Sequence, residues 1–158
     1  MRVEWSSVRW SIERLLAIGL TFLLWRSAIA HLGNPYYFLS SIYAYNLTDS
    51  FTGQIAAFVL PHAELLLGLV LFLGIWKRPA FVLTASLFAV FAGAQLAVLA
   101  QGLKISCGCY GSGESLEIGA VSVTIAVGCG VASLLGAFLA EPEVSSCPPA
   151  DVPSPSWN

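Results

Sequence analysis

The chain has 158 residues, of which 57% are hydrophobic and only 10% charged, with a mean hydropathy of +0.78. A soluble domain carries about 25% charged residues, so this composition excludes one and places the chain in a membrane. A net charge of −2, with seven scattered basic residues, excludes a phosphate-tracking nucleic-acid surface.

Four apolar segments, Ile12–Leu32, Gln54–Trp76, Pro79–Gln101 and Glu117–Ala140, are each long enough as helices to cross about 30 Å of hydrocarbon. No fixed-period repeat relates them. The predicted fold is an all-α integral membrane protein, a four-transmembrane-helix bundle over residues 1–140 followed by a tail over 141–158. The first segment also imitates a signal peptide, with Arg2, Arg9 and Arg14 before an apolar run and Ala28-Ile29-Ala30 as a cleavage site. Trp25 and Arg26 are too bulky and too polar to precede such a site, so retention of the segment is expected.

His31 to Gly53, between the first two spans, has no Lys or Arg and holds Tyr36, Tyr37, Phe38, Tyr43, Tyr45 and Phe51. A short helix or turn in the membrane interface is predicted here, with Pro35 near its start. It reads as an interfacial anchor or as a lid over a hydrophobic ligand. Asn46-Leu47-Thr48 matches a glycosylation sequon, which matters only in a eukaryote.

Polar groups inside spans come next. Arg26 and Gln95 each lie six residues from the end of a span, about 9 Å deep, and Glu64 lies ten residues in, about 15 Å deep. Pro61, Glu64 and Gly68 share one helix face by their spacing, and His62 points elsewhere. Buried charges face a bundle interior and pair, so an Arg26–Glu64 ion pair is expected, either as glue or as part of a site.

The connection before the fourth span, Lys104 to Gly113, is the one polar, glycine-rich loop with cysteines, and it places Cys107 and Cys109 one residue apart. Gly108 and Gly111 free the backbone to turn. A Cys-x-Cys disulfide closes a very small ring, which suits an exchanging pair better than a staple. Two small residues beside a turn, or half a metal site, are the other readings of the spacing. The fourth span is rich in small residues (Gly119, Ala120, Ser122, Ala126, Gly128, Gly130, Ser133, Gly136), which let helices approach closely, and Cys129 reads as one more packing residue. The tail, with five prolines from Pro142 to Pro155, is expected to be disordered, with Cys147 a reduced thiol.

Basic residues set the expected orientation. Arg2, Arg9, Arg14, Lys77 and Arg78 gather on one side and Lys104 alone lies in a loop on the other, which predicts cytoplasmic N- and C-termini. Trp5, Trp10 and Trp76 then form an aromatic belt at the inner interface. Cys107 and Cys109 fall on the oxidising, extracytoplasmic face, where disulfides persist.

From about Thr21 to Ala140 the chain resembles the MauE/DoxX-type redox-associated membrane proteins. The matching pieces are Arg26-Ser27-Ala28-Ile29-Ala30, Pro35, Phe38, the Tyr43–Leu47 stretch, Leu60-Pro61-His62-Ala63-Glu64, Gly68, Gly74, Arg78, Phe91, Gly102 and Cys107-Gly108-Cys109-Tyr110-Gly111. His31 stands where a lysine is expected and Tyr110 where phenylalanine is usual, and an arginine expected early in the fourth span is absent. The resemblance implies a bacterial inner-membrane protein handling thiols or disulfides at the outer face. It implies Cys107 and Cys109 as the working pair, supported by Gly108, Tyr110, Gly111 and Pro61. A periplasmic thioredoxin-like or disulfide-containing client is the implied partner, and a quinone held near Arg26, Glu64 and Gln95 the implied cofactor.

Two other classes fit the same residues. A non-catalytic accessory subunit of a larger membrane complex would dock through its small-residue helices and dispense with the cysteines. An outer-face copper or zinc site would draw on Cys107, Cys109, His31 and His62, although helical phase turns His62 away from Glu64.

Overall fold

The computed structural model describes residues 2–47, 49–103, 105 and 119–140. In chain order its elements are α1 (Arg2–Gly33), α2 (Pro35–Ala44), α3 (Ser50–Leu73), α4 (Lys77–Ala100) and α5 (Ala120–Leu139). Four stretches are long and apolar enough to cross a bilayer: Ser7–Gly33, Ser50–Leu73, Lys77–Ala100 and Ala120–Leu139. The shortest, 20 residues, reaches about 30 Å at the helical rise. Large apolar side chains such as Leu15, Phe22, Phe58, Leu66, Val90 and Phe138 stand exposed around the outside, as lipid-facing residues do. The protein is a multi-pass, four-helix membrane bundle, as its composition predicts. The expected tail, residues 141–158 with Cys147, lies outside the described residues.

The aromatic segment forms α2. Pro35 occupies its first turn, where a missing N–H costs nothing, and Phe38 and Ser41 are buried against the bundle. This short helix packs on α3 and, less extensively, on α1.

Several boundaries shift by a few residues, and the end of the second span is the one with a clear physical cause. The second span does not run to Trp76; α3 stops at Leu73 because Gly74 turns left-handed (φ 69°) and its N–H donates back to Val70 O and Leu71 O. Lys77 and Arg78 therefore open α4 instead of sitting in a loop, with Pro79 tolerated in the first turn. Gly74 is also needed for space, since a Cβ there would lie 3.1 Å from Arg14 Nη1.

The bundle is built from two tight pairs, α1 on α3 and α4 on α5, which meet through α1–α5 and α3–α4. Ala17, Leu20, Leu24, Leu71, Ala80, Phe81, Ala137 and Ala140 form the core between them. Small residues make the close contacts. A Cβ on Gly68 would fall 2.6 Å from the Trp25 indole, and its absence lets Trp25 Nε1 donate to Leu65 O (3.3 Å) and Thr21 Oγ1 to Gly68 O (3.2 Å). Gly136 seats the Phe81 ring in the same way. On α5, Ser122, Ala126, Ser133 and Gly136 face inward, Gly128 meets open space, and Cys129 is half-buried.

Charges close the end of the bundle that carries the α1 N-terminus. Lys77 Nζ lies 2.9 Å from the buried Glu13 Oε1. Arg9 Nη2 donates to the carbonyl of Leu139 (3.1 Å), one of the groups the last turn of α5 leaves without an intrahelical donor. Arg14 lies 5.6 Å from the Trp10 ring centre, a cation–π distance.

Candidate functional site: a buried carboxylate beside a small pocket

At the opposite end, below α2, α3 buries a glutamate. Pro61, Glu64 and Gly68 fall on one face of the helix, as their spacing predicts, and all three are buried, while His62 is exposed and its Nδ1 sits 2.6 Å from Phe58 O. The Glu64 side chain is only 1% exposed. Ser27 Oγ donates to its Oε1 at 3.2 Å, and His31 Nδ1 stands 3.4 Å from its Oε2.

The partner of Glu64 is thus His31, where Arg26 was expected. Helical phase decides it. Leu24, Ala28 and His31 recur at i, i+4 and i+7 on the buried face of α1, whereas Arg26, two residues from Leu24, lies roughly 200° around the helix and is exposed. His31 is 2% exposed and stacks on Phe38 of α2, with ring centres 3.8 Å apart and planes 17° from parallel. The aromatic segment therefore covers the imidazole.

The pair is charge-compatible but loosely joined. The 3.4 Å contact does not meet hydrogen-bond geometry, and among the described residues Glu64 Oε2, His31 Nδ1 and His31 Nε2 have no hydrogen-bond partner. Buried polar atoms normally find a partner.

Glu64 also lines a pocket of about 60 Å³ between the two helix pairs. Its polar lining is Ser27 from α1, Glu64 from α3, Gln95 from α4 and Ser122 from α5; Phe88, Phe91 and Cys129 contribute to the apolar remainder. Gln95 and Ser122 are themselves buried, and Ser122 Oγ closes the start of α5 by hydrogen bonding both to Gly119 N (3.2 Å) and Gly119 O (3.1 Å). Most of its wall is apolar, with these four side chains as its polar groups.

Of the residues expected at the site, Glu64 and Gln95 come together, Pro61 lies one turn from Glu64, and Arg26 faces away. Cys107, Gly108, Cys109, Tyr110 and Gly111 lie outside the described residues. Their flanks are on the page. Ile105, two positions before Cys107, packs on the fully buried Val98 together with Tyr45, whose burial pushes its phenol up to about 12. Ser27, Ser122 and Cys129 were not expected at the site, and His31 was expected only as a metal ligand. The signal for His31 and Ser27 was the inward stripe of α1. No group of three or more His, Cys, Asp or Glu side chains gathers among the described residues.

Four spanning helices, a short aromatic helix across one end and a buried carboxylate–imidazole pair beside a small, largely apolar pocket define a compact membrane protein with an internal site. The chain belongs to the family of the methylamine utilisation protein MauE, which it matches over residues 9–140. No curated protein and no solved structure matches it.

Proposed function

We propose that this chain is a membrane thiol–disulfide redox protein that acts through Cys107 and Cys109 and serves the maturation of a periplasmic protein used in methylamine utilisation. The observation that supports it is where the cysteine segment is tethered. It joins α4 to α5, the two helices that bring Gln95 and Ser122 to the pocket within a turn or two of its ends, and Ile105 holds its start against Val98, on which Tyr45 of the aromatic segment also packs. The cysteines are thus attached at the end of the bundle that carries the pocket and the Glu64–His31 pair, away from the charged end.

The exchange balances without a cofactor. A client thiolate attacks one sulfur of a Cys107–Cys109 disulfide, the S–S bond breaks, and a mixed disulfide forms. The second client thiolate resolves it, so that two electrons and two protons pass from the client dithiol to the Cys107/Cys109 pair. In the opposite direction the same steps reduce a client. No step of this exchange is routed through a quinone.

In this reading the termini are cytoplasmic and the cysteines face the periplasm across the bacterial inner membrane. An impermeant thiol reagent added to intact, reduced cells labels Cys107 or Cys109 and spares Cys147; labelling of Cys147 alone inverts the topology and removes the oxidising face. Single Cys107→Ser and Cys109→Ser variants accumulate mixed disulfides on non-reducing gels, because the resolving thiol is gone. Unchanged client maturation in the double variant overturns the redox reading and leaves an accessory subunit in its place.

A further inference from the structure

We propose that the charged end of the bundle binds the headgroup of an anionic phospholipid between α1 and the α3–α4 turn, with Arg14 and Arg78 as its ligands. This goes beyond the redox reading and does not depend on it. Three features of the geometry carry it.

The first is an imbalance of charge. Arg9, Arg14, Lys77 and Arg78 share this end with one carboxylate, Glu13, among the described side chains. Lys77 takes Glu13 at 2.9 Å, and Arg9 donates to the carbonyl of Leu139. Arg14 and Arg78 have no carboxylate partner among the described residues. Lys77 and Arg78 also open α4, whose first turn has no acidic residue and no side-chain cap. Cations at the positive end of a helix add to its field instead of offsetting it.

The second is the seat of Arg14. Its half-buried side chain reaches from α1 to the α3–α4 turn, where Nη1 lies 3.1 Å from the position of a Cβ on Gly74. The Trp10 ring centre is 5.6 Å from its Cζ, and its Nε is buried without a hydrogen-bond partner. A guanidinium presents five donors in a planar fork that matches a phosphate. The described residues leave that fork without an acceptor.

The third is what surrounds the cations. The Glu13–Lys77 contact sets Arg14 level with the start of α4, where that membrane helix begins. Ile18 and Phe22 follow Arg14 at i+4 and i+8, both exposed, and form an apolar stripe along which an acyl chain can lie. Trp10 and Trp76 are exposed beside the cations, as aromatic residues are at a headgroup boundary. Cations above an apolar stripe suit an amphiphile better than a free phosphate, and their uncompensated charge favours an anionic headgroup over a zwitterionic one.

Native mass spectrometry of the full-length protein, purified in detergent and stripped of lipid, tests the site with phosphatidylglycerol and phosphatidylcholine of identical acyl chains. The wild type retains phosphatidylglycerol in preference to phosphatidylcholine. Arg14→Gln and Arg78→Gln each weaken phosphatidylglycerol binding about fivefold and leave phosphatidylcholine binding unchanged. Arg14→Lys, which keeps the charge and loses the fork, falls between wild type and Arg14→Gln. Arg78 is exposed, so Arg78→Gln still reads the site should Arg14→Gln fail to fold. Inorganic phosphate at the lipid's concentration does not displace the lipid. Equal retention of the two lipids by the wild type, unchanged phosphatidylglycerol binding in a folded Arg14→Gln or Arg78→Gln variant, or displacement by that phosphate overturns the proposal. Glu4, Glu141, Glu143 and Asp151, the other carboxylates of the two chain ends, are replaced together by their amides in a further variant. A lipid preference that appears only there means that the chain's own carboxylates fill the site, and overturns the proposal as well. The Cys107→Ser/Cys109→Ser variant binds lipid as the wild type does, so loss of thiol exchange and loss of the lipid site are read separately.

Discussion

The two ends of this bundle treat buried charge in opposite ways. At the end with the α1 N-terminus, Glu13 meets Lys77 at 2.9 Å and Arg9 reaches a helix-terminal carbonyl, so charge is used to fasten α1 to α4 and α5. At the α2 end, Glu64 and His31 are more deeply buried yet stand 3.4 Å apart beside a pocket. A charge-assisted hydrogen bond contributes about 1.5–3 kcal/mol, and a buried group left short of partners costs a similar amount. Charge at the first end stabilises the fold; at the second it is kept at a cost, which is how an internal site differs from a joint.

The contrast breaks most visibly through the cysteines. The Cys107→Ser/Cys109→Ser variant is expected to lose thiol exchange completely while its melting temperature in detergent stays unchanged, as both residues lie outside the described helices and their core. Phe38→Ala comes next. Removing a buried phenylalanine costs about 3–5 kcal/mol in a well-packed core, and here it also uncovers His31. Thermal unfolding should show a drop near the lower end of that range, because α2 is a surface helix, with faster hydrogen exchange confined to α2.

Glu13→Leu is expected to cost about 1.5–3 kcal/mol, measured by thermal or denaturant unfolding, as Lys77 loses its partner. Leu at both Glu13 and Lys77 should recover part of the loss. A silent Glu13→Leu would mean that this end is not a joint. Glu64→Gln should move stability by less than about 1 kcal/mol, since shape and the Ser27 hydrogen bond are kept while a buried charge is removed. A large loss would place Glu64 with Glu13 as glue. The smallest effect is spectroscopic. Burial raises the Tyr45 phenol from 10.0 to about 12, so in an ultraviolet titration one tyrosine should ionise well after unperturbed ones. Any stability linked to it is complete below pH 10 and is lost as pH rises toward 12. Val98→Ala, which opens the contact with Tyr45 and Ile105, should bring that late ionisation closer to 10.

Much of the fold was legible in the chain because it is a local property. An apolar run of some 20 residues fixes a membrane helix wherever it sits, and Pro35 followed by aromatic residues marks α2. The face shared by Pro61, Glu64 and Gly68 follows from helical spacing alone. The end of α3 at Leu73 was less legible, since Gly74 and Trp76 turn left-handed within a stretch that stays apolar to Trp76. Glu64 and Gln95 were expected near one another from their depth, and they are.

What the sequence by itself determined, then, was the number of spans, their order, and which polar residues lie at which depth. Hydrocarbon thickness and the 3.6-residue turn require no knowledge of neighbours. Only the tertiary structure decided who meets whom. Arg26 and His31 are both polar residues near the same end of α1, and charge alone favoured Arg26 as the partner of Glu64. The rotation of α1 that seats Trp25 over Gly68 and Leu24 in the core turns Arg26 outward and His31 inward, where Phe38 covers it. That rotation is set by contacts between residues some 40 positions apart in sequence, and no local pattern carries it.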